Sequence, residues 1–121
     1  MLTLARAAIA RRFIGWIFAH MSNLLPLKRL RETETLLAFH HPQPNYPLHI
    51  LLVPKRTIPN LAALTPADAD FTADLFAVVQ SLIAQFDLQQ HGYRLIVNGG
   101  PNQHIPQLHF HLISDLPTRL E

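Results

Sequence analysis

The chain of 121 residues contains no cysteine. Disulfides, thiolate zinc sites and thiol nucleophiles are therefore excluded, and redox chemistry leaves the compartment unmarked. No apolar run is long enough to cross a bilayer. The uncharged stretch from Phe13 to Leu27 falls short of the ~20 residues a spanning helix needs and contains His20, Ser22, Asn23 and Pro26. Acidic residues are missing from residues 1–31, which hold Arg6, Arg11, Arg12, Lys28, Arg29 and Arg31; these six charges against a chain total of +2 leave the remainder at −4. Basic character belongs to the N-terminal segment alone, so a nucleic-acid partner is not expected of the folded part. Internal repeats and low-complexity tracts are absent too.

With 49% hydrophobic residues, the chain can bury one small core. Two units are expected: residues 1–29 as a basic, apolar, N-terminal helical extension, and residues 30–121 as the folded domain. Residues 2–21 are rich in helix formers and contain no proline. Arg11-Arg12 precede an apolar patch, as in a signal peptide, but no clean small-residue cleavage site follows. Trp16 and Phe18 leave two dispositions, a helix docked on protein or a peripheral membrane contact through residues 1–24. The arginines scatter around a helical wheel and do not form one face, which favours docking. The expected location is cytoplasmic, with membrane association if the second disposition holds.

From residue 30 onward the pattern alternates strand and helix signals. Thr33–His40 is apolar and β-branched and ends at the breaker run His41-Pro42-Gln43-Pro44-Asn45-Tyr46-Pro47. Leu48–Val53, closed by Pro54, has the continuous apolar character of a buried strand. Thr65-Pro66-Ala67-Asp68 opens a helix, with Thr65 as N-cap and Pro66 in the first helical position. Phe71, Leu75, Val78, Leu82 and Phe86 mark its apolar stripe, flanked by Val79 and Ile83, and Gly92 stops it. Tyr93–Asn98 and His104–Ile113 read as two strands of a hairpin joined by Gly99-Gly100-Pro101-Asn102. The expected fold is α+β: an antiparallel sheet of about five strands with a long helix on one face, preceded by an N-terminal helical segment.

The last of these strands carries the chemistry. Alternation along an extended chain sends Gln107, His109 and His111 to one face, while Leu108, Phe110 and Leu112 anchor the other. Imidazole suits nucleophilic, acid–base or metal work near neutral pH. Six of the eight histidines, at positions 40, 41, 49, 104, 109 and 111, fall at strand ends or on that face. The hairpin turn brings Asn98, Gln103 and His104 to the same end. Its adjacent glycines let backbone amides approach an anion, which makes the turn a phosphate cradle. Two histidines at i, i+2 with a third from elsewhere would also satisfy a three-histidine metal centre. No acid lies near them in sequence to supply charge compensation, so no metal or other cofactor is expected.

The stretch from Asn98 to Ile113, with Phe39-His40 and Leu48-His49-Ile50-Leu51-Leu52-Val53-Pro54-Lys55, resembles the histidine-triad (HIT) family of nucleotide hydrolases and transferases. The similarity spans residues 30–113. It departs from the His-x-His-x-His motif at the first member, which is Gln107; the second and third stand as His109 and His111. The resemblance implies that His109 attacks the α-phosphorus of a purine nucleotide or nucleotide conjugate. It also implies a catalytic set of His109, His111, His49 and Gln107, phosphate contacts from Asn98, Gln103 and His104, and nucleoside contacts from His40 and His41. The acid that often holds the ribose in the family is here His41. Phosphohydrolase or phosphoramidase activity is the expected function. A degraded nucleotide-binding or regulatory module, motivated by Gln107 and His41, is the alternative, and a three-histidine metalloprotein the third. Family members pair through the long helix and the neighbouring sheet edge. A homodimer is therefore expected, the more so because Ala77, Val78, Val79, Leu82 and Ile83 cannot all face one sheet.

Overall fold

A strand buried on both faces must be apolar throughout, and Leu36–His40 and Leu48–Pro54 come closest to that condition. In the computed structural model, which describes residues 29–116, they are strands β2 (Leu36–His40) and β3 (Leu48–Pro54) at the centre of the sheet. With β1 (Arg29–Glu32), β4 (Arg94–Val97) and β5 (Phe110–Ser114) they form one antiparallel sheet in the order β1-β2-β3-β5-β4. The expected α+β architecture is thus the observed one. The helical extension over residues 1–29, and with it the choice between docking and membrane contact, lies outside the described residues except for Arg29. That residue already belongs to β1, one position ahead of the expected boundary.

Two expected strands are shorter than their apolar patterns imply. The run Thr33–His40 is broken at Thr33, whose Oγ1 accepts hydrogen bonds from the backbone N–H groups of Thr35 and Leu36. A side chain that bonds to neighbouring amides offers the backbone an alternative to the sheet ladder, and the chain turns there between β1 and β2. The run His104–Ile113 becomes strand only at Phe110. Pro106 has no N–H to give a ladder, Gln107 N–H turns back onto Ile105 C=O at 2.8 Å, and Leu108 N–H goes to Ile58 C=O at 2.7 Å.

The helix α1 (Ala69–Gln85) is entered through a tight turn at Pro66–Asp68. Thr65 Oγ1 accepts from Ala67 N–H, and the buried Asp68 carboxylate accepts from Thr65 N–H and from Arg56. This reciprocal capping satisfies amides that the first helical turn leaves over. Phe71, Leu75, Val78, Val79 and Leu82 pack onto Leu36, Ala38, Leu48, Ile50, Leu52, Phe110 and Leu112, forming the core. Ile83 also packs on that core and only Ala77 of the five residues cited for a second stripe is exposed. The helix stops at Gln85, earlier than Gly92. Asp87 takes a left-handed φ of 55°, which aspartate tolerates better than most residues, and a short helix α2 (Leu88–His91) follows. Gly92, at φ 88°, ends α2.

The even positions of β2 and β3 face α1. The odd positions, His49 and Leu51 among them, face the other side of the sheet, where the histidines gather. Among the described residues, no helix is long and apolar enough to cross a membrane.

A candidate active site of four imidazoles

Strand register decides which histidines meet. Leu51 pairs with His111 and His49 with Ile113, so His49 and His111 are diagonal neighbours on one face of β3 and β5. Their rings lie 5.2 Å apart, with His49 Nε2 2.9 Å from His111 Nδ1. His41, the residue after β2, is tied down by its own N–H to His49 C=O at 2.8 Å, and its ring sits 4.3 Å from that of His49. His109, just ahead of β5, lies 5.0 Å from His111. The result is a row: His41, His49, His111, His109.

The hydrogen bonds place the ring protons. Asn45 N–H donates to His49 Nδ1 at 3.1 Å, so neutral His49 carries its proton on Nε2 and donates it to His111 Nδ1. His111 must then hold its own proton on Nε2. His109 Nδ1 is 2.7 Å from Gln107 C=O, an oxygen that only accepts, so the His109 proton is on Nδ1 and the lone pair on Nε2. Gln43 N–H donates to His41 Nδ1 at 3.0 Å, which puts the His41 proton on Nε2.

This pattern needs neutral rings, and the surroundings of His41, His49 and His111 favour that form. Burial, then the charge of His41, pushes His49 down to about 4. Burial, then His109, His49 and His41 in turn, pushes His111 down to about 4. Burial and His109 lower His41 as well. Desolvation penalises the imidazolium, and like charges in the row add to the penalty.

Beside the row is a cavity of about 200 Å³ lined by His41, Leu51, Asn98, Asn102, Gln103, His104, Ile105, His109 and His111. No acid is among them. Asn98, directly after β4, and His104, midway along the β4–β5 connection, both reach the cavity. Asn102, Leu51 and Ile105 were not expected there; Asn102 lies inside the Gly-Gly-Pro-Asn turn, and that was the available signal.

Three expected site residues sit differently. Gln103 is buried and gives both amide hydrogens to backbone carbonyls, Pro59 at 2.8 Å and Ile105 at 2.9 Å, so its side chain fastens the loop. His40 faces the helix side, its ring 6.3 Å edge-on from Phe86, because alternation along β2 separates it from His41. Gln107 does not line the cavity with His109 and His111. It is 2% exposed, and among the described residues its Oε1 has no hydrogen-bond partner. Among the described residues, no group of three histidine, cysteine or acidic side chains is placed to hold a metal ion, which leaves the metalloprotein reading without a ligand set there.

The family model of the HIT domain matches residues 24–117. The chain belongs to the HIT family. A HIT-like protein of Helicobacter pylori is 33% identical over 93 residues, covering 74% of this chain and 86% of that one. Among solved structures, a HIT family hydrolase from Clostridium thermocellum superposes with a TM-score of 0.70 at 26% identity, covering 84% of this chain and 90% of its own. A histidine triad nucleotide-binding protein from Candida albicans superposes with a TM-score of 0.65 at 27% identity, covering 78% of this chain and 70% of its own. The HIT fold and its hydrolase-like framework are therefore shared.

Proposed function

We propose that this HIT protein is a nucleotide-binding phosphohydrolase or phosphoramidase that acts at the α-phosphate of a purine nucleotide conjugate, with His109 as nucleophile. One observation carries this reading: the hydrogen bond from His109 Nδ1–H to Gln107 C=O, which puts the lone pair on Nε2. Nε2 attacks phosphorus and forms a P–N bond. The leaving group departs with its bonding pair and takes a proton from solvent. Water then attacks phosphorus, the P–N bond breaks, and the released imidazole recovers its starting form while the spare proton returns to solvent. His111 Nε2–H, the Asn98 amide and His104 supply donors to the non-bridging oxygens, where negative charge is highest. No metal or other cofactor is needed for these steps. The names of the Clostridium thermocellum and Candida albicans relatives, a hydrolase and a nucleotide-binding protein, support the substrate class.

In this reading Gln107 stands in the first triad position. Its main-chain carbonyl orients His109, and any residue supplies that group, so glutamine there is compatible with turnover. This observation favours an active enzyme over a degraded binding module. A two-fold homodimer belongs to the same reading, resting on the small domain and on the exposed edge strand β4 with Tyr93 and Arg94. The helix adds little to that argument, since its apolar residues other than Ala77 and Phe76 mostly face the sheet. Turnover of adenosine 5′-phosphoramidate by the wild type and by His109→Ala tests the proposal. Loss of turnover in the variant is expected, and equal rates in the two proteins would overturn it.

A further inference from the structure

We propose that His41 is a specificity residue, presenting a hydrogen-bond donor that selects substrates carrying a second phosphate beside the one attacked. The inference rests on the nucleotide phosphohydrolase reading above. It begins from the Gln43 amide: because that N–H donates to His41 Nδ1 at 3.0 Å, the neutral ring offers Nε2–H and no acceptor on that side. The ring is held in place by the stack, 4.3 Å from His49 and 6.3 Å from His111 with planes 19° apart. It lines the same cavity as His109 and His111, the side chains that would handle the attacked phosphorus.

The rest of the lining carries no negative charge. Asn98, Asn102 and His104 all bring N–H donors, and the cavity has no carboxylate. A ribose diol is gripped best by a carboxylate, which accepts from both hydroxyls at once. A phosphate needs the reverse, several donors and no competing negative charge. The wall at His41 therefore matches a second phosphate, such as one on the ribose, better than it matches an unmodified diol.

Calorimetry on the full chain reads this directly, comparing adenosine 5′-monophosphate, its 2′-deoxy form, and the 2′,5′- and 3′,5′-bisphosphates of adenosine. At least one bisphosphate should bind about tenfold or more tightly than the monophosphate, as an added charge-assisted hydrogen bond would give. Removing the 2′-hydroxyl from the monophosphate should change affinity less than about twofold. His41→Phe should abolish the bisphosphate preference, and His41→Asp should reverse it while making binding sensitive to the 2′-hydroxyl. Thermal melts establish that each variant is folded, and the wild-type comparison stands without them. Monophosphate binding as tight as that of both bisphosphates would overturn this inference and leave the proposed function intact. A preference undiminished in folded His41→Phe would overturn the role of His41. If no nucleotide binds, the proposed function fails and this inference with it.

Discussion

His49 Nε2 lies 2.9 Å from His111 Nδ1, and the backbone amide of Asn45 fixes which of the two donates. A proton position in the middle of the site is thus set from the loop that follows β2, across two strands, without any acid. The arrangement differs from the usual means of orienting a histidine, a carboxylate on its far nitrogen. Burial and neighbouring imidazoles favour the uncharged forms of His41, His49 and His111. The site therefore meets an anionic ligand with the Nε2–H donors of His41 and His111 beside the Nε2 lone pair of His109.

The first consequence concerns this pair. His111→Ala should lower kcat by about 10²-fold, since it removes a donor aimed at charge on phosphorus oxygens. His49→Gln keeps a donor within reach of His111 Nδ1 and should cost less than His49→Ala, which leaves the His111 tautomer unassigned. Steady-state kinetics on the three variants check the order. Equal losses in His49→Gln and His49→Ala would mean that His49 serves only to fill space.

Stability should depend on pH in a defined window. In the unfolded chain His49 and His111 titrate near 6.5, whereas burial and neighbouring imidazoles hold them at about 4 in the folded protein. Between those values the unfolded state binds more protons, so stability is complete above about pH 6.5 and is lost as pH falls toward 4. In that window the slope approaches about 1.4 kcal/mol per pH unit for each histidine that is protonated only in the unfolded state. Urea unfolding at pH 7 and pH 5 should show the loss, and His49→Gln should flatten it. An unchanged midpoint between the two pH values in the wild type would contradict the assignment of neutral rings.

Gln107 makes the opposite kind of prediction, a gain. Its buried Oε1 lacks a partner among the described residues, and its amide reaches only Leu108 C=O at 3.4 Å. An unsatisfied buried polar atom costs about 1–3 kcal/mol. Gln107→Met, of similar volume, should raise stability by about 1 kcal/mol. Because His109 is oriented by the 107 carbonyl and not by this side chain, turnover should stay within about threefold of wild type. A collapse in kcat with unchanged stability would show that the side chain itself acts in the reaction.

The entry to α1 is a further point of vulnerability. Asp68 is buried, accepts from Thr65 N–H and pairs with Arg56, and the Arg56 hydrogen bond leads the causes that hold its carboxyl below the usual range. Asp68→Ala should lower the unfolding temperature, because it removes the acceptor for Thr65 N–H and the partner of Arg56. Thermal unfolding reads this, and Arg56→Ala should cost less because its side chain is largely solvent-exposed.

Much of the site was legible in the sequence because its histidines sit on strands whose alternation can be counted. His49, His109, His111 and Asn98 come together through the expected hairpin and the β3–β5 register. Alternation also holds the answer for His40 and His41. Leu36 and Ala38 face the helix, so His40 must follow them and His41 must not. What the sequence could not show depends on backbone hydrogen bonds in irregular segments. The late start of β5 follows from Pro106 and from Gln107 N–H folding back on Ile105. The two fixed tautomers at His41 and His49 follow from the Gln43 and Asn45 amides, whose directions are set by a proline-rich loop. The split at Thr33 and the left-handed Asp87 likewise arise from local side-chain and backbone preferences that a pattern of apolar residues does not record.

The central claim is that His109 Nε2 bonds covalently to phosphorus, and trapping the intermediate tests it most directly. The full chain is mixed with adenosine 5′-phosphoramidate, quenched at alkaline pH within the first turnover, and measured by intact and peptide mass spectrometry. An adenylyl mass increment is expected on His109 and should be absent from His109→Ala. Product release by the wild type with no adduct at any quench time, or an adduct on another residue, would contradict it.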